Sequence, residues 1–179
     1  GRKVLIVDLD PQGNASSGLG IDKQHLDSTV YDVLFGTVTP DRVIQETGIP
    51  GLHVFPANAQ LAAAEVDLAG ELQREYKLKN ALMHLEYDFI LIDCPPSLGL
   101  LSINALSAAH SVLIPVQAEY YALEGLGQLL DIIQRVRQGL NPHLDILGVV
   151  VTMYDSRTSL SDQVVDELKK HFGEKLMNT

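Results

Sequence analysis

One stretch decides the fold of this chain, and it runs Tyr87-Asp88-Phe89-Ile90-Leu91-Ile92-Asp93-Cys94-Pro95-Pro96-Ser97. The apolar residues 89–92 have no polar face, which predicts a strand covered on both sides. Pro95 and Pro96 cannot donate to a ladder of backbone hydrogen bonds, so the strand ends before them. Asp93 is therefore expected at the carboxyl end of a buried strand, where open α/β sheets bind ligands.

The start of the chain repeats this pattern, in the stretch Val4-Leu5-Ile6-Val7-Asp8-Leu9-Asp10-Pro11-Gln12-Gly13-Asn14. If the two strands are parallel, the carboxylates of Asp8, Asp10 and Asp93 converge at one edge of one sheet. The residues that follow, 11–20, are rich in Gly, Asn and Ser and predict a loop.

Apolar runs alternate with helical patterns along the rest of the chain. Strands are predicted at 3–8, 52–55, 88–93, 111–116 and 145–152, and helices at 30–35, 41–46, 58–70, 71–85, 98–109, 120–140 and after Ser159 or Ser161. Asn58 is the expected cap of its helix. This alternation predicts an α/β fold, a mostly parallel twisted sheet with helices on both faces, in a single domain over residues 1–179.

Composition excludes several classes of function. The 179 residues carry a formal net charge of −10, which argues against bulk affinity for nucleic acid or for an anionic membrane. The one cysteine rules out an internal disulfide, and the six histidines lack the spacing of metal ligands. We find no apolar run of the roughly 18 residues that a membrane helix needs, so no membrane partner is expected.

Four stretches together resemble the ParA/Soj-type partition ATPases, with the chromosomal Soj branch as the nearest likeness. Residues 8–14 resemble the second nucleotide-site motif of that family, residues 87–99 its Walker B segment, and residues 112–125 and 147–158 two further family segments in the same order. The resemblance implies an ATP hydrolase that binds ATP and Mg²⁺, with a fold like that of P-loop NTPases of the deviant Walker type.

The resemblance also implies a role for each site residue. Asp10 would orient the attacking water and contact the metal through water, and Asp93 would reach Mg²⁺ through water. Asp8 would hold a metal-bound water or the phosphate loop, although a plain strand-end carboxylate is nearly as good an interpretation. Further nucleotide-binding candidates are Pro11, Gln12, Gly13, Asn14, Pro95, Pro96, Ser97, Met153 and Tyr154.

Some of these candidates have equally good ordinary interpretations. Gln12, Gly13 and Asn14 either rearrange with nucleotide or form a simple polar turn. Met153 and Tyr154 either touch the base or pack at the rim of the core. The sequence does not separate these alternatives.

The chain also departs from the family. It contains no Gly-x-x-x-x-Gly-Lys-Ser/Thr motif, whose backbone N–H groups and lysine cradle phosphates. We therefore expect a fragment truncated at both ends, which lacks the phosphate loop with its central strand and the C-terminal part. We expect these residues alone to be inactive and to bind Mg-ATP no more tightly than about 1 mM.

For the complete protein, the resemblance implies a DNA-partition ATPase for chromosome or plasmid segregation. Its partners would be a second copy of itself bridged by ATP, DNA bound without sequence preference, and a centromere-binding protein of the ParB type. It would be cytoplasmic and associated with the nucleoid. The alternatives are a membrane-cycling ATPase of the MinD type, a non-catalytic interaction fragment and, ranked far lower, a phospho-acceptor receiver domain.

Overall fold

The computed structural model describes residues 1–177, apart from the side chain of Tyr120. The chain divides into two compact units, residues 1–108 and the part from residue 109 onward. The single domain expected over residues 1–179 stays a prediction.

The first unit contains a four-stranded sheet in the order β2-β3-β1-β4. Its strands are β1 (Val4–Asp8), β2 (Gln45–Glu46), β3 (Leu52–Phe55) and β4 (Phe89–Asp93). β1 pairs in parallel with both β3 and β4, whereas β2 is antiparallel to β3. The predicted α/β fold with a mostly parallel sheet is therefore confirmed.

Short helices and 3₁₀ turns connect these strands. The helices are α1 (Asn14–Gly18), α2 (Val30–Leu34), α3 (Ala64–Asp67), α4 (Lys77–Leu82) and α5 (Leu100–Ala108). The 3₁₀ turns span Lys23–His25, Pro40–Arg42, Ala59–Ala63, Leu68–Gly70 and Arg74–Tyr76. Asn58 caps the Ala59–Ala63 turn, because its side chain accepts a hydrogen bond from the Gln60 N–H.

The core of this unit lies on one face of the sheet. Leu5 and Val7 of β1 are fully buried, and α5 packs there through Leu101 and Ala105. Ile90 and Ile92 of β4 pack against the same cluster. This burial fixes α5, and with it the loop that follows β4, against the sheet.

The expectation that β4 is covered on both sides is wrong. Phe89 and Leu91, which point away from the core, are 55% and 58% exposed. These two side chains lie on the sheet face opposite the core, and β4 is the last strand of its sheet, so no further strand of this sheet shields them on one side.

Three other local predictions are also corrected. Residues 41–46 are not a helix, because Gln45 and Glu46 pair with β3 as an edge strand. The predicted helix 58–70 is broken into two 3₁₀ turns around the single turn of α3. The predicted loop 11–20 contains α1, whose formation depends on contacts with β1 and the end of β3 that the local sequence does not reveal.

The second unit contains a two-stranded parallel sheet, β5 (Ser111–Gln117) and β6 (Asp145–Thr152), with α6 (Tyr120–Gly139) and α7 (Ser159–Phe172). The side chain of Thr158, not that of Ser159 or Ser161, caps α7, because the helix begins one residue after it. Leu176 forms an isolated parallel bridge with Val149. Among residues 1–177, none of the helices combines the length and the apolar character required to cross a bilayer.

Candidate functional site

Parallel pairing of β1 and β4 brings the predicted acidic residues to one edge of the sheet. Asp8 lies directly opposite Asp93 in the strand register. The next residue, Leu9, donates its N–H to the Asp93 carbonyl at 2.8 Å, which extends the pairing past the strand ends. The predicted convergence of these strand ends is confirmed.

Asp8 is fully buried, and both oxygens of its carboxylate accept hydrogen bonds from protein donors. Its Oδ2 accepts hydrogen bonds from the Ser16 N–H at 2.7 Å and from the Ser16 hydroxyl at 2.6 Å. Its Oδ1 accepts from the Asp10 N–H at 3.2 Å. Such a carboxylate anchors α1 and the loop before it to the end of β1.

Asp10 stands at the head of the tight turn that leads into α1. Its Oδ1 accepts from the Gln12 N–H at 2.9 Å, and its carbonyl accepts from the Gly13 N–H. Among residues 1–177, its second carboxylate oxygen has no hydrogen-bond partner. Asp10 is half-buried, so this oxygen belongs to a side chain that solvent reaches in part.

Gly13 is required by the shape of this turn. It adopts φ 59°, in the left-handed region, and a Cβ there would lie 2.7 Å from the Ala57 carbonyl oxygen. Lys23 passes beside Gly13 and donates from Nζ to the Gln12 carbonyl. Pro11 is half-buried, while Gln12 and Asn14 are exposed. The turn is therefore held by contacts with Ala57 and Lys23 of the same unit. Its role toward a nucleotide stays a prediction.

Asp93 has the opposite environment from Asp8. It is exposed, and desolvation together with the nearby charges of Asp8 and Asp10 raises the pKa of its carboxyl group above the usual value. This shift means that negative charge at this edge is not fully compensated by the protein. Within the described residues, no cluster of three or more potential ligands forms a metal site. Mg²⁺ is commonly held by one or two carboxylates and keeps several waters, so the exposed carboxylate of Asp93 beside Asp10 fits the implied metal only as a partner through water.

The loop after β4 is fastened where it enters α5. Ser97 accepts a hydrogen bond at its carbonyl from the Ser102 hydroxyl at 2.5 Å. Pro95 is half-buried, and Pro96 and Ser97 are exposed. This loop follows Asp93 directly, so a ligand at the acidic edge lies next to it along the chain.

Three residues of this region were missed by sequence reasoning. Ser16 holds Asp8, Lys23 supports the Gly13 turn, and Glu65 binds the first N–H groups of α5. Each acts across a gap in sequence of eight residues or more, without a motif. The short run Asn14–Gly18 after a predicted strand end is the only local signal that pointed toward Ser16.

Met153 and Tyr154 belong to the second unit. Met153 is 75% exposed at φ 56°, and Tyr154 is half exposed, with its hydroxyl donating to Asp162 at 2.6 Å. Neither side chain is core. Their contact with a base stays a prediction.

The acidic edge is not lined by either of two concave regions among the described residues. A cavity of about 440 Å³ in the first unit is lined by Lys3, His53 and Tyr87, at the amino ends of the strands. Since the strands are parallel, this is the edge of the sheet opposite the carboxylates. The candidate site is thus an open edge at the carboxyl ends of the strands, where open α/β sheets bind ligands.

Comparison with known proteins first identifies the class. Residues 1–146 match the family model described as an AAA domain. The α/β fold with its mostly parallel sheet and acidic strand ends is that of the P-loop NTPases related to partition proteins.

Curated relatives then identify the family. The chain is 52% identical over its full length to the sporulation initiation inhibitor protein Soj of Bacillus subtilis, of which it covers 72%. It is 48% identical over 98% of its length to the chromosome partitioning protein ParA of Caulobacter vibrioides, of which it covers 67%. It therefore belongs to the ParA/Soj family of chromosome-partitioning ATPases.

Solved structures agree on the fold. A protein of Mycobacterium smegmatis named cobyrinic acid a,c-diamide synthase, solved with bound ADP and magnesium, is 44% identical with a TM-score of 0.89, over 97% of this chain and 71% of that one. Cyanothece McdA is 26% identical with a TM-score of 0.88, over 98% of this chain and 72% of that one. The synthase name describes another activity, but the relatives named for partitioning are more similar in sequence.

Proposed function

We propose that this chain is the nucleotide-site part of an ATP-dependent, dimerising DNA-partition ATPase that hydrolyses ATP to ADP and phosphate. One observation carries the proposal: Asp8, Asp10 and Asp93 lie at one edge of the sheet. The sequence identity of 52% to Soj and 48% to ParA supports it. Neighbours of the same fold were solved with ADP or an ATP analog and magnesium, which supports the same ligands here.

Asp10 is proposed as the catalytic residue. Its Oδ1 is fixed by the Gln12 N–H, which orients the carboxylate and leaves the second oxygen able to accept a proton or a hydrogen bond from water. Phosphoryl transfer needs little from the protein beyond positioning and charge compensation, so an oriented carboxylate suits the task. Asp10 would also contact the metal through water.

Asp93 is proposed to hold Mg²⁺ through water. Its side chain is exposed, and the raised pKa of its carboxyl group means that a nearby cation would stabilise its ionised form. When bound, Mg²⁺ would supply charge compensation for the phosphates of ATP. Asp8 remains a candidate for the nucleotide site, although its hydrogen bonds to Ser16 favour the structural alternative.

Two loops are proposed to line the nucleotide. The first is the turn of Pro11, Gln12, Gly13 and Asn14, and the second is Pro95, Pro96 and Ser97; both lead directly from the acidic strand ends. Met153 and Tyr154 are proposed for the adenine side because they follow β6 and expose their side chains.

The partners proposed for the complete protein follow its relatives. They are a second copy bridged by ATP, DNA bound without sequence preference, and a centromere-binding protein of the ParB type, in a nucleoid-associated, cytoplasmic setting. Because the chain has a net charge of −10, DNA contacts must be local or lie outside these residues. A non-catalytic interaction fragment is the second candidate, since the 179 residues contain no Gly-x-x-x-x-Gly-Lys-Ser/Thr motif.

The test is Asp10→Ala in the full-length gene product. We expect ATP binding to persist and turnover to fall by about 100-fold or more, as for loss of a group that positions or deprotonates the nucleophile. Asp27→Ala, which changes an exposed acid of the same unit, is the matched control. Wild-type turnover in the Asp10 variant would refute the assignment.

The isolated 179 residues test whether this part of the protein holds the nucleotide by itself. If they need a phosphate loop from elsewhere, calorimetry should show Mg-ATP binding no tighter than about 1 mM. Binding below about 100 μM would show that these residues hold the nucleotide unaided, contrary to our expectation.

A further inference from the structure

We propose that Glu65 is a positioning residue for the loop that follows Asp93, and that residues 57–65 brace this loop against the Asp8–Gly13 turn. The structural part of this proposal, the positioning of the two loops, is argued from hydrogen bonds in the first unit. Its consequence for turnover rests on the proposed function.

Glu65 binds the amino-terminal end of α5. One carboxylate oxygen accepts from the Leu100 N–H at 2.7 Å and the other from the Leu101 N–H at 3.2 Å. The first N–H groups of a helix have no partner within the helix, and the helix dipole favours negative charge there. Glu65 therefore satisfies both needs with one half-buried side chain from α3.

Gly99 makes room for this contact. A Cβ at Gly99 would overlap the Glu65 carboxylate, so any larger residue would push Glu65 off the helix end. Gly99 does not have a positive φ, so replacing it with alanine tests space and not backbone strain.

The other end of residues 57–65 touches the first acidic loop. The Ala57 N–H donates to the Ser16 hydroxyl at 3.0 Å, and that hydroxyl donates to Asp8 at 2.6 Å. The Ala57 carbonyl lies against Gly13, where a side chain would not fit. One short segment thus contacts the turn after β1 at its start and the loop after β4 at its end.

This arrangement fixes the loop after β4 at both ends. The Leu9 N–H holds the Asp93 carbonyl at its start, and Glu65 holds α5 at its end. Between them, Pro95 and Pro96 have restricted φ angles. The Glu65 carboxylate also occupies the helix end that would otherwise attract an anion.

The first experiment measures amide hydrogen exchange, resolved to single residues, in the full-length gene product. Loss of a charged acceptor for two amides in Glu65→Ala should speed exchange at Leu100 and Leu101 about tenfold. Gly99→Ala should do the same while Glu65 keeps its charge, and Glu65→Gln should have a smaller effect. Glu86→Gln, an exposed acid of the same unit, should change neither amide.

The brace makes a second, separate prediction for the same samples. Exchange at the Ser16 amide, which donates to Asp8, should also rise in Glu65→Ala, by about threefold. If only Leu100 and Leu101 respond, Glu65 is a local helix cap and the brace is refuted. If exchange is unchanged at all three amides, Ser16, Leu100 and Leu101, the positioning role of Glu65 is refuted as well.

Measurements of ATP turnover test whether the position of this loop affects catalysis. We expect kcat to fall about tenfold with little change in KM for ATP in Glu65→Ala and Gly99→Ala, and Glu65→Gln to restore part of it. Faster exchange with unchanged kcat would leave Glu65 a structural cap and overturn its role in catalysis. Absence of turnover in the unchanged protein would overturn the proposed function itself. The exchange measurements would still show whether residues 57–65 link the loop after β4 to the Asp8–Gly13 turn.

Discussion

Asp8 and Asp93 occupy equivalent positions in two paired strands and have opposite surroundings. They face each other in the register of β1 and β4, and each ends an apolar run. Asp8 is fully buried and accepts three hydrogen bonds, whereas Asp93 is exposed and the pKa of its carboxyl group is raised. A strand-end carboxylate therefore has no fixed role, and the residues that follow the strand decide it.

The cause lies in those following residues. After Asp8, the chain turns through Gly13 into α1, which returns the Ser16 N–H and hydroxyl to the carboxylate. After Asp93, Pro95 and Pro96 remove two N–H donors, and α5 is capped by Glu65 instead. We infer that Asp8 maintains the local structure, while Asp93 is left available for a ligand.

The largest effect on stability is expected at Asp8. Asp8→Ala leaves the Ser16 N–H and hydroxyl and the Asp10 N–H without their acceptor, which should lower the free energy of unfolding by about 3 kcal/mol or more. Denaturant unfolding of the full-length protein measures it. Asp93→Ala, its partner in register, should change the same quantity by no more than about 0.5 kcal/mol. Equal losses in the two variants would contradict the contrast drawn here.

A smaller loss is expected at the turn that separates the two environments. Gly13→Ala combines a left-handed φ with a clash against the Ala57 carbonyl, and should cost about 2 kcal/mol or more. Gly20→Ala is the matched control, because Gly20 has φ 86° and open space around it. It should cost only the conformational strain, about 1 kcal/mol. If both variants are equally stable in denaturant, the turn is not packed as described.

The smallest effect concerns pH and Asp93. A carboxyl group with a raised pKa in the folded state binds its proton more readily there, so its ionisation reduces stability as pH rises through that pKa. Asp93→Asn should therefore be slightly more stable than the unchanged protein at pH 7. The difference should shrink as pH falls through the raised pKa of Asp93 and should be gone once pH lies below the usual value of 3.8. Unfolding midpoints at several pH values measure this, and a variant less stable at pH 7 would oppose it.

Much of the fold followed from local pattern. β3 and β6 have the predicted bounds, because each is an apolar run with a clear end. Gln45 and Glu46 were predicted helical and form an edge strand, since pairing with β3 overrides their local preference. The convergence of the acidic residues was predictable from parallel topology. The burial of Asp8 was not, because it depends on Ser16 and on Ala57, 41 residues further along.

The most direct test of the account is the Mg²⁺ dependence of ATP turnover by full-length Asp93→Asn. If Asp93 binds Mg²⁺ through water while Asp8 stabilises the fold, this variant should unfold at about the normal denaturant concentration. It should also need about tenfold more Mg²⁺ or more for half-maximal turnover, as for loss of an outer-shell metal partner. A well-folded Asp93→Asn protein with an unchanged Mg²⁺ requirement would contradict the central claim.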